Sequence, residues 1–165
     1  MDKIQALEKQ LESLQADAIE IAIEMGKYQD KGLCVQITDM GRSVFTKREF
    51  QKGDFICSYE GELVTRTEGV KRSQNLSPHA PCFMFFFKKN DKQWCIDATS
   101  ESFTFGRLIN HSRRRANIKP YSDFVKKRPC VQFKAICNIQ PNVEIFYDYG
   151  ESDRATILAN PWLRE

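Results

Sequence analysis

The sequence lacks any long hydrophobic run. Its longest dense apolar stretch is the six-residue segment Cys82–Phe87, in a chain of 165 residues. A membrane-crossing helix needs about 20 apolar residues, so the sequence predicts no transmembrane span. The N-terminus carries Asp2, Lys3, Glu8 and Lys9 where a signal peptide needs an apolar segment, which argues against secretion.

Metal-binding motifs are absent as well. The chain has only two histidines, and no two of its six cysteines are separated by just two residues. Structural zinc sites and redox dithiols use such closely spaced pairs, so we expect neither. Without a secretory signal, we expect the thiols to be reduced and mostly buried.

The chain does contain enough apolar and aromatic residues to fold. Hydrophobic residues make up 41% of it, including 12 Phe, 5 Tyr and 2 Trp. This composition excludes disorder of the whole chain, and the length fits one domain. A chain of this size buries roughly 70% of its unfolded surface, so a core can form without disulfides or metals.

The net charge of +3 is unevenly distributed. Residues 1–31 hold four bases and seven acids, a net of −3, whereas residues 32–165 hold 21 bases and 15 acids, a net of +6. One acid, Asp123, and eight bases lie within 107–128: Arg107, Arg113, Arg114, Arg115, Lys119, Lys126, Lys127 and Arg128. This basic patch predicts a nucleic-acid contact. A solvated basic loop explains it equally well, because aromatic residues do not alternate with the bases.

A heptad stripe marks the first segment as a helix. Apolar residues recur at alternating spacings of three and four: Ile4, Leu7, Leu11, Leu14, Ala18, Ile21 and Met25. Such a stripe suits either a coiled-coil dimer or an amphipathic helix packed on its own domain. The shortness of the stripe and its alanine favour the packed helix and therefore a monomer. Gly26 is a suitable end for the helix.

From Leu33 onward the pattern changes to short β-like segments separated by turns. The predicted strands are Cys34–Ile37, Ser43–Phe45, Phe55–Tyr59, Phe83–Phe87, Trp94–Ile96, Val131–Ile136 and Glu144–Tyr147. A short final helix is expected at Asp153–Leu158. The sequence therefore predicts a mainly β domain with few helices and long loops.

Three motifs, in this order, define a family resemblance. They are Gly53–Gly61 (GDFICSYEG), Gly106–Ser112 (GRLINHS) with Asn117 after it, and Glu144–Gly150 (EIFYDYG). Together they resemble the SET domain of protein lysine methyltransferases over residues 33–165. The cysteine-free segment Ala159–Glu165 resembles the tail of the Set8/PR-Set7 branch, which monomethylates histone H4.

The resemblance implies a SET-domain fold of short curved sheets, with a knot-like threading near the active site. The chain would comprise an N-terminal amphipathic helix at 1–31, a SET domain at 32–150 and a C-terminal lid segment at 151–165. The resemblance also implies S-adenosylmethionine as cofactor and a lysine ε-amine as substrate. The expected partner is a histone tail or nucleosome in the nucleus, on the chromosome, with the position-twenty lysine of histone H4 as target.

Lysine is a poor nucleophile at neutral pH. Its pKa near 10.4 leaves about one part in a thousand neutral at pH 7.4, a cost of roughly 4 kcal/mol, and an aromatic, poorly hydrated channel favours the neutral amine. The resemblance implies that Tyr149 orients the amine beside the reactive methyl. It assigns catalysis also to Tyr59 and Tyr147, which line the substrate channel with Cys82, and Phe146 is expected behind them. Tyr147 predicts a monomethyl product.

The resemblance also assigns a group of cofactor-binding residues. They are Met40, Gly41, Arg42, Phe83, Asn110, His111 and Trp162. Trp162 would act as a lid over this site. Arg107, although it belongs to the same motif as the asparagine and the histidine, is expected to be structural.

Several positions depart from the family pattern. Ser43 and Met40 replace the second glycine and the lysine of a Gly-x-Gly turn, so Ser43 is expected to cost cofactor affinity or to force a different turn. Phe83 replaces a tyrosine of the branch, and the run Arg113–Arg115 replaces a small residue or cysteine near the peptide groove. These departures leave open the alternative that the chain is a weakened SET module, which binds chromatin or a partner. The helical stripe at 4–25 leaves open a second alternative, a scaffold that acts through this helix.

Overall fold

The computed structural model describes residues 2–24, 31–77, 80–150 and 161–165. The side chains of 15–24, Pro161 and Leu163 are outside that description. The predicted final helix at 153–158, most of the predicted lid segment and the predicted helix end at Gly26 also lie outside it. Among the described helices, none is long and apolar enough to cross a membrane.

Short strands dominate the described part of the chain, which confirms the mainly β prediction. The elements are α1 (Asp2–Glu24), β1 (Leu33–Thr38), β2 (Gly41–Thr46), β3 (Phe55–Ser58), β4 (Glu62–Thr65), α2 (Arg66–Gln74), β5 (Met84–Lys89), β6 (Lys92–Asp97), a 3₁₀ turn (Gly106–Leu108), β7 (Asn110–His111), β8 (Ile118–Val125), β9 (Arg128–Ala135), β10 (Phe146–Tyr147) and a second 3₁₀ turn (Pro161–Arg164).

The sequence did not predict α2, β4, β7 or β8. Helix α2 has no apolar stripe, but a capping pattern marks its start: Thr65 Oγ1 accepts a hydrogen bond from the backbone N–H of Glu68 at 3.2 Å. Strand β8 lies in the segment interpreted as a basic loop, because Lys119 and Pro120 disrupt its alternation. Cross-strand pairing with β9 along its whole length holds it in place.

The strands form small sheets. Strands β1 and β2 pair as an antiparallel hairpin, and two three-stranded antiparallel sheets have the orders β3-β9-β8 and β4-β6-β5. The fully buried side chains come mainly from the strands and the turns between them: Val44, Phe50, Ile56, Ile118, Val131, Phe133 and Ile145. Two further members of this core, Tyr59 and Tyr147, line the cavity described below.

A short parallel pair joins the two most distinctive motifs. Strand β10 pairs with β7, with Phe146 opposite Asn110 and Tyr147 opposite His111. Asn117 holds β10 in place: its Oδ1 accepts a hydrogen bond from the backbone N–H of Phe146 at 3.0 Å, and its Nδ2 donates to the carbonyl of Glu144 at 3.0 Å. Residues far apart in sequence therefore meet at one site.

The described half of the α1 stripe is exposed. The side chains of Ile4, Leu7, Leu11 and Leu14 are 57–65% accessible. The prediction that this stripe packs on its own domain is therefore wrong for residues 4–14, because no core surface covers them. The rest of the stripe lies outside the described side chains, and a monomeric state stays a prediction.

The cysteines are less buried than predicted. Cys57 and Cys95 are buried, whereas the others are partly or fully exposed: Cys34, Cys82, Cys130 and Cys137. The prediction of mostly buried thiols is wrong, because Cys82 lies in a cavity wall and Cys137 in an exposed turn after β9. Burial raises the pKa of the Cys57 thiol to about 12, which keeps that sulfur protonated at neutral pH.

Candidate active site

The predicted site residues converge on one cavity of about 960 Å³. Its walls include Met40, Gly41, Arg42, Tyr59, Cys82, Phe83, Asn110, Tyr147, Tyr149 and Trp162. Ligand pockets span roughly 300–1,000 Å³, so this volume suits a cofactor together with a substrate side chain. The remaining predicted residue, His111, is buried behind Tyr149, with ring centroids 5.0 Å apart.

Tyr149 is held at the cavity by two hydrogen bonds. Its hydroxyl donates to the carbonyl of Ile109 at 2.8 Å, and its backbone N–H donates to Nδ1 of His111 at 2.9 Å. Because the phenolic proton is used on Ile109, the oxygen offers lone pairs to a ligand and acts as an acceptor. An acceptor at this position suits the N–H groups of an amine.

The site tyrosines stay protonated at neutral pH. Burial raises the pKa of Tyr149 to about 12. Burial first, and then the nearby Tyr149, raise the pKa of both Tyr59 and Tyr147 above the ordinary value. A phenol with a raised pKa is a poor general base at pH 7, so these hydroxyls are suited to hydrogen bonding and not to proton abstraction.

An aromatic channel surrounds the tyrosine pair. The Tyr147 ring lies 4.7 Å from Tyr149 and 4.8 Å from Phe133, while Phe85 lies 5.0 Å from Tyr59 and 6.2 Å from Tyr147, all between ring centroids. Tyr59 and Tyr147 are each only 6% exposed. Such a wall excludes water and disfavours a charged amine.

The prediction that Phe146 backs this channel is wrong. Successive side chains of a strand point to opposite faces, so Phe146 turns away from Tyr147. Its ring is covered instead by the guanidinium of Arg115, 4.4 Å from the centroid. The phenylalanines that contact Tyr147 are Phe133 and Phe85, and Phe85 also lines the cavity.

His111 acts as a support for the site. Its Nδ1 accepts the backbone N–H of Tyr149, which requires this nitrogen to be unprotonated. The imidazole also packs edge-on against Trp162, with centroids 5.7 Å apart. The histidine therefore connects Tyr149, two residues after β10, to Trp162.

The C-terminal segment is bound beside the cavity. The carbonyl of Glu165 accepts hydrogen bonds from Ser112 Oγ and from the backbone N–H of Arg114, both at 2.8 Å. Trp162 lies in the cavity wall, 6.2 Å from the Tyr149 ring centroid. This position is compatible with the predicted lid, although its role stays a prediction.

Ser43 is accommodated without strain. It is fully buried in β2, and its hydroxyl accepts a hydrogen bond from Asn110 Nδ2 at 2.9 Å and lies 2.8 Å from Thr38 Oγ1. The left-handed backbone of this turn falls on Gly41, at φ +91°, and Ser43 is not left-handed. The expected change of turn, or cost in cofactor affinity, stays a prediction.

Phe83 is packed against a charged network. Its ring lies 4.0 Å below the guanidinium of Arg107, which donates to the carbonyls of Ala98 and Thr99 and to Glu101. Glu101 also binds Arg42 at 2.6 Å. Burial opposes ionisation of Glu101, but these arginines outweigh it and hold its pKa below the usual range. The hydrogen bonds of Arg107 agree with its predicted structural role.

The cavity fits the cofactor that the motifs imply. Gly41 lines it with a left-handed backbone, and a side chain there would meet no atom within 4 Å. An open glycine turn allows a ligand to approach the backbone closely. Met40, Arg42 and Asn110 lie around it, and Phe83 and Trp162 supply apolar surface.

Replacing Gly106 with alanine should destabilise the site. A Cβ there would collide with the carbonyl of Ser58 and the Cα of Tyr59, both backbone atoms. We expect a loss of about 2 kcal/mol or more, or roughly 4–8 °C in Tm for a domain of this size. Calorimetry would measure it. Ser100→Ala, in the exposed preceding loop, is the control and should change Tm by less than about 2 °C; an equally small effect of Gly106→Ala would contradict the packing argument.

The basic patch at 107–128 is not one surface. Arg107 is buried in the site, Arg113 pairs with Asp148 at 3.5 Å, and Arg115 covers an aromatic ring. Arg114 lies in the bend before β8, where its backbone N–H bonds Glu165. The remaining four bases, Lys119, Lys126, Lys127 and Arg128, belong to the β8–β9 hairpin. The interpretation as a loop is wrong for 118–128, because strands β8 and β9 and their turn occupy it.

Comparison with known proteins identifies the family. The SET domain family matches residues 41–150, more than half of the chain. The chain belongs to the SET-domain family.

Several members of this family are similar to the chain in sequence or structure. The chain is 38% identical over 125 residues to histone-lysine N-methyltransferase Set8 of Drosophila melanogaster, covering 74% of this chain and 18% of the fly protein. It is 36% identical over 138 residues to N-lysine methyltransferase KMT5A-A of Danio rerio, covering 82% and 40%. A solved structure, CpSET8 from Cryptosporidium, shares 33% identity at a TM-score of 0.66, covering 73% and 58%. The chain thus spans less than two thirds of each relative.

Proposed function

We propose that this protein transfers a methyl group from S-adenosylmethionine to a lysine of a histone tail. Membership of the SET family and similarity to two methyltransferases support the reaction class. The observation that carries the proposal is the cavity in which Tyr59, Tyr147 and Tyr149 face the turn at Gly41 and the side chain of Asn110.

The residues of the chain would act on the amine in three ways. The aromatic wall removes water and favours the neutral amine, which supplies the nucleophile. The hydroxyl oxygen of Tyr149, fixed by Ile109, accepts an N–H and directs the nitrogen lone pair. Positioning two reactants in line can lower the barrier by about 7–11 kcal/mol. S-adenosylmethionine supplies an electrophilic methyl group when bound.

Cofactor binding would use the walls opposite the channel. The backbone of Met40, Gly41 and Arg42 and the segment Asn110–His111 would hold the polar ends of the cofactor, and Phe83 and Trp162 its apolar surface. The proposed domain division at 1–31, 32–150 and 151–165 puts these groups in the SET domain and the C-terminal segment.

The finer substrate assignment is the position-twenty lysine of histone H4, with one methyl added, in the nucleus. Similarity to the Set8 relatives supports this branch. The open rim at Cys82 and Phe86, both exposed, gives an extended peptide access to the channel.

Methyl transfer can be tested directly. The protein would be incubated with labelled S-adenosylmethionine and with histone octamers, nucleosomes and histone H4 peptides. We expect label in histone H4, lost when the position-twenty lysine of the peptide is replaced by arginine, and a product of one methyl by mass spectrometry. Label on a different histone would overturn the substrate assignment but not the reaction.

The weakened SET module is the competing hypothesis, and cofactor binding separates the two. The structure accommodates Ser43 and Phe83, the two changed cofactor positions that motivate the weakened module. Ser43 accepts a hydrogen bond from Asn110, and the Phe83 ring packs against the guanidinium of Arg107. Isothermal titration should show S-adenosylmethionine binding, weakened by His111→Ala. Restoring tyrosine at position 83 should tighten it by no more than about one hydrogen bond, 0.5–1.5 kcal/mol. Nucleosome binding without detectable cofactor binding would favour the module.

A further inference from the structure

Several bases that the proposed mechanism does not use lie at the ends of two neighbouring hairpins. The β5–β6 hairpin turns between Lys89 and Lys92, and the β8–β9 hairpin turns between Val125 and Arg128. Ser122 joins them: its carbonyl accepts from Lys89 Nζ at 3.3 Å, and its hydroxyl donates to the carbonyl of Lys88 at 3.2 Å. The two turns therefore form one surface.

We call this the double-hairpin surface. Its bases are Lys88, Lys89, Lys92, Lys126, Lys127 and Arg128. Two acids, Asp91 and Asp123, accompany them, so the surface has a net charge of +4. Asp91 lies 3.7 Å from one lysine, Lys88. Two apolar side chains between the bases, Phe124 and Val125, are 40% and 48% exposed.

The turn of the β8–β9 hairpin places two lysines in a backbone conformation that lysine rarely adopts. Lys126 and Lys127 both have left-handed backbones, at φ 50° and 66°. Two-residue hairpin turns with two positive φ values prefer Asn-Gly, and the neighbouring turn follows this chemistry with Asn90 and Asp91 at φ 51° and 60°. Lysine gains nothing from this conformation, and strained residues concentrate where a surface has a function.

We propose that the double-hairpin surface binds the phosphate backbone of a nucleic-acid duplex. Five of its six bases are lysines, which act as flexible point charges toward phosphate and do not impose the planar geometry of arginine. The arginine, Arg128, already donates to the carbonyl of Gly61 at 3.1 Å. Such contacts release counterions and depend little on base sequence.

The surface is also placed to act with the cavity. Strand β5 connects them, because Met84 lines the cavity and Lys89 lies five residues further on, about 17 Å along the strand. If the proposed function holds, a duplex bound here would lie near the histone tail whose lysine enters the channel. Duplex binding itself does not depend on catalysis.

The test uses a turn replacement. Lys126→Asn with Lys127→Gly removes two charges and installs the preferred turn residues, so Tm should stay equal or rise. Affinity for a DNA duplex of about 30 base pairs should fall roughly 10- to 30-fold at physiological salt, and the slope of log K against log[salt] should fall by about 1.8. Fluorescence anisotropy across a salt series would measure both quantities.

The control removes the same charge elsewhere. Lys52→Gln with Lys134→Gln alters exposed lysines at the other end of β9, where Gly53 bonds Ala135. We expect its duplex affinity to change by less than about threefold. Equal losses in both variants, no duplex binding by the native chain, or stronger binding to poly-glutamate than to DNA would overturn the proposal.

Peptide methylation separates this proposal from the proposed function. Both variants should methylate a free histone peptide at the native rate, because neither pair lies in the cavity wall. A chain that binds duplexes as described but methylates nothing would leave this proposal intact and contradict the proposed function. A variant with reduced peptide turnover would show that the turn supports the fold of the site, which contradicts a role confined to nucleic acid.

Discussion

Replacing Tyr149 with phenylalanine should lower kcat by roughly 100-fold or more, because misplacing a reacting group by about 1 Å can cost that much. The phenylalanine keeps the ring that contacts Tyr147, His111 and Trp162. It removes only the oxygen that Ile109 holds in place. Radiolabelled methyl transfer to a histone peptide would measure the loss.

Two readouts show that this loss concerns chemistry and not folding. Loss of the hydroxyl costs about 1 kcal/mol at the Ile109 carbonyl, so the circular dichroism spectrum should be native. Tyr121→Phe is the matched control, since its hydroxyl binds Gln132 Oε1 at 2.9 Å on the β8–β9 hairpin. That variant should keep native turnover. Near-native turnover of the Tyr149 variant would contradict the assigned role.

The pH profile of the same reaction should follow the ionisation of the substrate lysine. The rate should rise with pH from 7 to 9, because the neutral fraction of the substrate lysine rises about tenfold per unit. Burial raises the pKa of Tyr149 to about 12, so Tyr149 stays neutral throughout this pH range. The folding stability that depends on its neutral state is fully present below pH 10, and it is lost only as the pH rises from about 10 through about 12.

Local sequence patterns predicted several strands: β1 and β9 carry apolar residues at the strand period, and β5 begins with a run of β-prone apolar residues. The resemblance of three motifs to a known family predicted the residues that gather at the cavity. The same strand period could have excluded Phe146 from the channel, because Tyr147 beside it points inward. Phe85 could not be found this way, since only the packing of β5 against β9 brings it to Tyr147.

Long-range contacts explain the other differences. The eight bases of 107–128 lie close together in sequence but not in space. Three of them, Lys126, Lys127 and Arg128, lie at the β8–β9 turn on the hairpin that contacts Lys89, whereas Arg107 is buried and bonds the carbonyl of Ala98. Charge counting along a chain cannot separate these surfaces. Nor could it show that Asn110 would supply a partner for Ser43 across the strands.

Replacing Tyr147 with phenylalanine should change the product from monomethyl- to dimethyl-lysine. Its ring is fixed between Phe133 and Tyr149 and is only 6% exposed. A hydroxyl here can hold the amine or a water molecule in the place that a rotated methylamine needs for a second transfer. Its removal frees that space and should leave the first transfer active.

The expected change in product ratio follows from one lost polar contact. A hydroxyl contact or a displaced water is worth about 1–2 kcal/mol, or a factor of roughly 5–30 between products. Mass spectrometry of a methylated peptide at several times would measure the ratio. Because Phe146 faces away from the channel, Tyr59 is the alternative determinant, and Tyr59→Phe is the matched comparison, expected to retain the monomethyl product. A dimethyl product from the native chain, or from the Tyr59 variant alone, would assign the limit to a residue other than Tyr147.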